Sequence, residues 1–294
     1  QKLADKPYSA AMLSSVWGFD LERSEILCRA GEAIGLVIER KGHYRLTRKG
    51  AVLIGLPGVT ALIEHHKILY QDLLNPVGFF KGVEETQLSK FWPYVFGGGM
   101  DLKSSEVEKY SDLMSESQHL VAADTLAAVN IPSVFIFLDV GGGKGTFVSV
   151  LKKIYTKVDA AVFDLPGSHS ETSGHRCIIG SFKEDELPAG YDIISLVRIL
   201  YDHRDETIRD LLGKAYSALD KGGRLIVSEP MLGADRPTLW GDVYFAMYTL
   251  AMSTGKTRSP DQVSGFIKDA GFSNVTIHKS ARPFITTVIE ARKT

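Results

Sequence analysis

The stretch Val134-Phe135-Ile136-Phe137-Leu138-Asp139-Val140-Gly141-Gly142-Gly143-Lys144-Gly145-Thr146-Phe147-Val148 decides the fold. An apolar run of strand length ends in an acidic residue and a glycine-rich turn. Apolar residues at helical spacing then begin, the pattern of strand, tight turn and helix. Glycines permit the turn and let a ligand approach the backbone closely, so a nucleotide-like cofactor is expected at this point. Glycines 141, 143 and 145 are spaced G-x-G-x-G. Dinucleotide enzymes use G-x-G-x-x-G instead, which disfavours a hydride-transferring oxidoreductase.

Downstream, strand-like and helix-like blocks alternate, as in a parallel α/β sheet. Strands are predicted at Val134–Val140, Ala160–Phe163, Cys177–Ile179, Ile193–Val197, Arg224–Ser228, Val275–His278 and Ile285–Glu290, and helices at Thr146–Ile154, Glu206–Ala218 and Pro260–Ala270. The second strand ends in Phe163-Asp164-Leu165-Pro166, where Asp164 is placed to accept hydrogen bonds from two ribose hydroxyls; a plain helix cap is the alternative. The third ends in Gly180-Ser181-Phe182, with Phe182 placed to pack on a purine.

Upstream, Leu21, Ile26, Leu27, Ala30, Ala33, Ile34 and Val37 recur at helical spacing, predicting a helix over 20–37. Ile38-Glu39-Arg40, a Lys41-Gly42 turn and Tyr44-Arg45-Leu46-Thr47 read as two short strands, and Thr47 as the cap of a helix starting near Arg48. Helix, wing and helix form a winged-helix pattern. Arg40, Lys41, His43, Arg45, Arg48 and Lys49 make the wing basic. Those charges suit a DNA-binding regulator, but 34 basic against 35 acidic residues leave a net charge of −1, and a dimerisation module with a solvated loop is the better reading. Residues 107–129 predict a further helix, and the domain boundary falls near Gly99–Asp101, giving residues 1–99 and 100–294.

The 294 residues suit about two domains, and 44% hydrophobic with 23% charged residues is ordinary globular usage. Cys28 and Cys177 are too few for a disulfide framework and are expected to be two buried thiols in a reducing cytoplasm. His65-His66 lacks a second ligand pair at a suitable spacing, so no metal is expected. No apolar run reaches the roughly 18 residues that span a bilayer. The start, Gln1-Lys2-Leu3-Ala4-Asp5, has neither an apolar signal core nor an initiator Met, which predicts a natural start upstream.

With these strand ends the sequence resembles a class I S-adenosylmethionine-dependent methyltransferase, and more narrowly the hydroxyindole and small-molecule O-methyltransferases. Leu138-Asp139-Val140-Gly141-Gly142-Gly143, Phe163-Asp164-Leu165-Pro166, Leu196-Val197-Arg198-Ile199-Leu200-Tyr201-Asp202-His203, Gly222-Gly223-Arg224-Leu225, Ser228-Glu229-Pro230 and Ala270-Gly271-Phe272 fall in family order. Ile63-Glu64-His65-His66, Leu88-Ser89-Lys90-Phe91-Trp92-Pro93-Tyr94 and the stretch from Tyr244 to Met252 are similar to the carotenoid hydroxyl O-methyltransferases of the hydroxyneurosporene and demethylspheroidene type.

The resemblance implies a Rossmann-like methyltransferase sheet preceded by an α-helical winged-helix dimerisation domain. It implies S-adenosylmethionine as cofactor, held by Asp139, Gly141, Gly143, Gly145, Asp164, Leu165, Ser181, Phe182 and Arg198, with Met114 and Gln118 lining it. The implied acceptor is a hydrophobic small molecule against Phe91, Trp92, Tyr94, Tyr244, Met247, Tyr248 and Met252; core packing is the alternative for the last four. A homodimer without a nucleic-acid partner is implied, with peripheral membrane contact as a route to a lipophilic substrate. Phenolic, polyketide or tetrapyrrole pigments are the alternative acceptors.

The family's usual base, a His, is replaced by Tyr201. A phenol titrates near ~10, so Tyr201 is expected to orient the acceptor rather than deprotonate it. Glu229 is expected to polarise the site and His203 is the weaker candidate base. The family's second flanking carboxylate position is occupied by Thr257. The dimerisation helices that usually precede the winged helix are largely missing around residues 14–19, and residues 167–175 are shorter than the usual helix there.

Overall fold

The computed structural model describes residues 2–55, 57–91, 118–132, 135–166, 168 and 174–294, with no side-chain description for residues 57–62 and 91. Tertiary contacts divide the chain into two compact units, Gln1–His66 and Lys67–Thr294.

The first unit contains α1 (Lys2–Asp5), α2 (Ala10–Trp17) and α3 (Leu21–Ala33). The hairpin β1 (Val37–Arg40) and β2 (His43–Leu46) follows, then α4 (Arg48–Gly55). Asp20 caps α3 by accepting the Arg23 N–H at 2.8 Å. The helix stops at Ala33 rather than at Val37, because Gly35 turns into the left-handed region at φ 74° and Val37 enters the wing. Thr47 accepts the Gly50 N–H at 3.1 Å and so caps α4. Leu13, Cys28 and Tyr44 form the small core of this unit. Much of the predicted apolar face of α3 points outward in the single chain: Leu21, Ile26, Leu27 and Ile34 are all exposed.

The second unit begins within α5 (Pro57–Asp72), followed by α6 (Pro76–Lys81) and α7 (Gln87–Phe91). A helix over 118–128, α8, leads into β3 (Ile136–Val140). The elements then run α9 (Thr146–Ile154), β4 (Asp159–Asp164), β5 (Arg176–Ile179), β6 (Tyr191–Val197), α10 (Asp205–Ala218) and β7 (Leu219–Glu229). After β7 come a π-helical segment Leu239–Phe245, α11 (Ala246–Met252), α12 (Pro260–Asp269), β8 (Ser273–His278) and β9 (Thr287–Arg292). A capping box of Ser259 and Gln262, with Pro260 in the first turn, fixes the start of α12.

The seven strands lie in the order β5-β4-β3-β6-β7-β9-β8. All neighbours are parallel except β9, which runs antiparallel to both β7 and β8. Alternate residues of a strand feed opposite cores: Leu138 and Val140 pack with Ile208, Leu211 and Leu212 of α10, whereas Phe137 packs with Phe147 and Leu151 of α9. Burial on both faces explains why the strands read as continuous apolar runs. Chain order reverses direction at β3 and β6, so the crevice outside their carboxyl ends is where an open α/β sheet binds ligands.

Strand edges differ from expectation where pairing overrides local pattern. β7 starts at Leu219, earlier than Arg224, because Leu219 pairs with Tyr191 across a register shift. β9 starts at Thr287, later than Ile285, because the amides of Ile285 and Thr286 turn back to the Arg282 carbonyl. Only one of the two cysteines is a buried thiol: Cys177 on β5 is half-buried. Among the described residues no helix is long and apolar enough to cross a membrane.

Candidate active site

Three strand ends build one side of the crevice. After Val140 the chain turns through Gly141, Gly143 and Gly145, all at positive φ (70°, 54° and 75°), where a side chain would be strained. The Gly141 N–H reaches across to the Phe163 carbonyl at 2.7 Å, which pins the loop to the neighbouring strand. Open space lies beside Gly143, while a side chain at Gly141 would collide with Ile199. Gly145 begins α9 without a side-chain cap, so the helix presents backbone N–H groups at this end.

Asp164 sits where β4 leaves the sheet. Its Oδ2 accepts the Gly143 N–H and its Oδ1 the Leu165 N–H, both at 2.6 Å. Each oxygen keeps a further lone pair, enough for two vicinal hydroxyls. Asp139 is buried, accepts the Ser195 hydroxyl at 2.6 Å, and has a second oxygen without a hydrogen-bond partner beneath the glycine loop. Burial pushes its pKa up to about 7, the Ser195 bond opposing and the Asp164 charge adding. A glycine cradle, an acidic strand end with spare acceptor capacity and a buried carboxyl beneath them fit the ribose and amino-acid portions of S-adenosylmethionine.

Ser181 and Phe182 follow β5 half-buried, and Phe182 meets the His203 ring edge-on at 5.2 Å between centroids. The crevice side of β5 thus pairs the residue expected beside a purine with a candidate base. Burial, Lys183 and Arg258 push the His203 pKa down to about 4, so His203 is neutral at pH 7 and a weak base. Leu165 and Gln118 are half-buried; Trp92, Tyr94 and Met114, with the side chain of Phe91, lie outside the described residues.

The other side of the crevice is the 3₁₀ turn Leu200–Asp202. Glu229, 1% exposed at the end of β7, accepts the N–H groups of Ile199 and Leu200 at 2.8 Å and of Tyr201 at 3.5 Å. Arg258, 3% exposed, donates to the carbonyls of Leu200 and His203 at 3.0 and 2.8 Å. Asp205 holds that guanidinium from outside at 2.6 and 2.9 Å. The Lys256 N–H meets the Tyr201 carbonyl at 2.8 Å. Buried charges therefore satisfy the backbone of the turn from both ends. Glu229 acts on the loop that carries Tyr201, a more indirect arrangement than simple polarisation of the site. Burial pushes its pKa up to about 7, the backbone N–H groups and Arg198 opposing.

Within this frame Tyr201 is buried, its ring perpendicular to Phe245 at 6.2 Å. Burial and the neighbouring Asp202 raise its phenol well above 10, so Tyr201 is protonated at neutral pH. Arg198 holds a left-handed backbone at φ 58° and its positive charge acts on Tyr201, Asp202, Glu229 and Tyr244 together. Such strain persists where surroundings dictate it, and here the Arg198 N–H is fixed to the Ser228 carbonyl at 2.9 Å. Thr257, in place of a carboxylate, lies 3.1 Å from the Thr249 hydroxyl.

Of the predicted acceptor-lining residues, Tyr244, Tyr248 and Met252 join one apolar cluster with Leu69, Phe79 and Leu88. Met252 is fully buried, whereas Met247 is half-buried outside that cluster. The π-helical turn before Ala246 sets Tyr244 against Phe245 at 4.7 Å and Tyr248 at 6.0 Å. Burial pushes the Tyr244 phenol up to about 12. Sequence reasoning did not single out Arg258, Asp205 or Asp202 as site residues; the sole signal for Arg258 was a cation directly before the Ser259-Pro260 helix start.

Residues 70–273 match the family model described as an O-methyltransferase domain. The chain is 43% identical over 295 residues to demethylspheroidene O-methyltransferase of Rhodobacter capsulatus, covering 99% of this chain and 75% of the relative. It is 39% identical to the protein of that name from Cereibacter sphaeroides, covering 98% and 79%. Among solved structures, a methyltransferase of calicheamicin biosynthesis with bound SAH shares the fold at TM-score 0.82 and 19% identity, over 100% of this chain and 90% of that one. Human N-acetylserotonin methyltransferase in complex with SAM shares it at 0.70 and 23%, over 99% and 89%. The parallel sheet, the glycine cradle and these matches agree, and the chain belongs to the O-methyltransferase domain family as an S-adenosylmethionine-dependent O-methyltransferase.

Proposed function

We propose that this chain methylates a hydroxyl of an apolar small molecule, a hydroxylated carotenoid. The cofactor supplies a methyl group made electrophilic by a sulfonium. The residues of the chain align the acceptor and exclude water, which is where most of the acceleration of an in-line displacement arises. The observation that carries the reading is Tyr201, buried and protonated, where its relatives carry a base. A phenol acceptor gains from early deprotonation. A weakly acidic tertiary alcohol instead attacks as the neutral hydroxyl and loses its proton late, which requires an orienting partner rather than a strong base. The two demethylspheroidene O-methyltransferases, similar over nearly the whole chain, support the acceptor class.

In this reading Tyr201 orients the acceptor, Glu229 holds the Tyr201 turn, and His203 packs beside the cofactor. Asp139, the three loop glycines, Asp164, Leu165, Ser181, Phe182, Arg198, Met114 and Gln118 hold the cofactor. Phe91, Trp92, Tyr94, Tyr244, Met247, Tyr248 and Met252 face the acceptor. Functionally the chain divides into residues 1–99, for dimerisation and substrate lining, and residues 100–294, for cofactor binding and transfer.

A homodimer through the first unit would cover Leu21, Ile26, Leu27 and Ile34 on α3, exposed in the single chain. Exposed Leu74, Val77, Phe80 and Val83 suit peripheral contact with a membrane that holds a lipophilic acceptor. Two free cysteines suit a reducing cytoplasm. The test is competition between a hydroxylated carotenoid and a phenolic pigment at equal concentration, read as product mass; preferential methylation of the phenol contradicts the proposal.

A further inference from the structure

We propose that Asp202 is the positioning residue that fixes the direction of the Tyr201 O–H, making the phenol oxygen a hydrogen-bond acceptor for the alcohol that is methylated. The inference rests on the reading that Tyr201 meets the acceptor. Both residues belong to one 3₁₀ turn, and that turn is clamped by Glu229, Arg258 and the Lys256 amide, so their relation is fixed by the fold. The Tyr201 phenol acts on the Asp202 carboxyl as a hydrogen-bond donor, while Asp202 Oδ1 is buried without a partner. The charged and titratable groups facing this pair are Arg198 beyond β6 and Glu229 of β7, with Tyr248 of α11 facing the phenol.

An ionised carboxylate only accepts hydrogen bonds. With Asp202 ionised, Tyr201 must donate to it, and the phenol lone pairs are left for the acceptor hydroxyl. That hydroxyl then donates to Tyr201 and keeps its own lone pair for the methyl group. With Asp202 protonated, the carboxyl O–H can donate to Tyr201. The phenol then donates toward the acceptor and occupies the lone pair that must attack. Burial and the Glu229 charge raise Asp202 well above the ordinary carboxylate range, with Arg198 opposing. The ionised form is the competent one, so activity is lost as pH falls through the raised pKa and gained as pH rises.

The experiment measures kcat and KM against pH for wild type, Asp202→Asn and Tyr201→Phe, with S-adenosylhomocysteine calorimetry on each. The expected result is a rising limb in wild type that is absent from both variants, with cofactor affinity unchanged within about twofold. Tyr201→Phe should also lower kcat roughly 2–13-fold, the worth of one hydrogen bond. A limb retained in Asp202→Asn, or no limb in wild type, overturns the inference while leaving Tyr201 in contact with the acceptor. Unchanged kcat and KM in Tyr201→Phe overturns the underlying reading and the inference with it. Where Asp202→Asn does not fold, Asp202→Glu decides: a limb displaced in pH supports the proposal and an undisplaced one contradicts it.

Discussion

The glycine loop 141–145 and the turn 199–203 face the same crevice but are held in opposite ways. The loop is shaped by an absence of side chains: three glycines at positive φ and a single cross-strand bond at Gly141 leave its amides open to a ligand. The turn is shaped by buried charge, since Glu229 takes its N–H groups and Arg258 its carbonyls, each almost wholly out of water. A loop of the first kind tolerates loss of a neighbouring side chain structurally but loses ligand. A turn of the second kind should fail as structure first, because removing one buried partner strands the others.

The largest expected effect follows from that difference. Arg258→Ala should lower stability by about 3–5 kcal/mol, the cost of breaking a buried charge pair. Thermal and denaturant unfolding would read it, and a change below about 1 kcal/mol would remove the contrast between the two regions. On the loop side, Asp164→Ala should weaken S-adenosylhomocysteine at least about tenfold, since charge-assisted hydrogen bonds are worth about 1.5–3 kcal/mol each. Calorimetry would show it, with the melting temperature of the ligand-free protein little changed.

A pH series sharpens the comparison, since each region carries one carboxyl pushed to about 7: Asp139 under the loop and Glu229 at the turn. Their folded-state values exceed the unfolded ones, so the native state holds protons that the unfolded chain releases. Stability therefore falls as pH rises from about 4.5 toward 7. Unfolding midpoints across that range should decline in wild type and decline less in Asp139→Asn. An equal decline would show that Asp139 titrates normally. The smallest effect is Tyr201→Phe, at roughly 2–13-fold in rate with cofactor binding intact. A drop beyond about 10²-fold would mark Tyr201 as a proton-transfer group.

The loop was readable in the sequence and the clamp was not, for a physical reason. Asp139, the glycines and Asp164 sit at strand ends, and strand ends are marked by apolar runs that stop at glycine or an acid. Helix α9 and the capped start of α12 were legible for the same reason, being local patterns. Arg258 reaches Leu200 and His203 across 58 and 55 residues, and no local pattern announces such a partner. The apolar face of α3 was visible as a helix, but periodicity says only that a face is apolar, and in the single chain Ile26 and Ile34 remain uncovered. The stretch from Trp240 to Met252 read as one helix; Thr238 capping and a π-helical turn divide it, and that division sets Tyr244 against Phe245.

The central claim is methyl transfer to an apolar alcohol held by a protonated Tyr201. It is tested most directly by incubating the protein with methyl-labelled S-adenosylmethionine and a carotenoid bearing a tertiary hydroxyl, then locating the label by mass spectrometry. The account predicts one labelled methyl group on the hydroxyl oxygen, with equimolar S-adenosylhomocysteine formed. Intact cofactor binding with no label on the carotenoid, under conditions where a phenolic pigment is methylated, would contradict it.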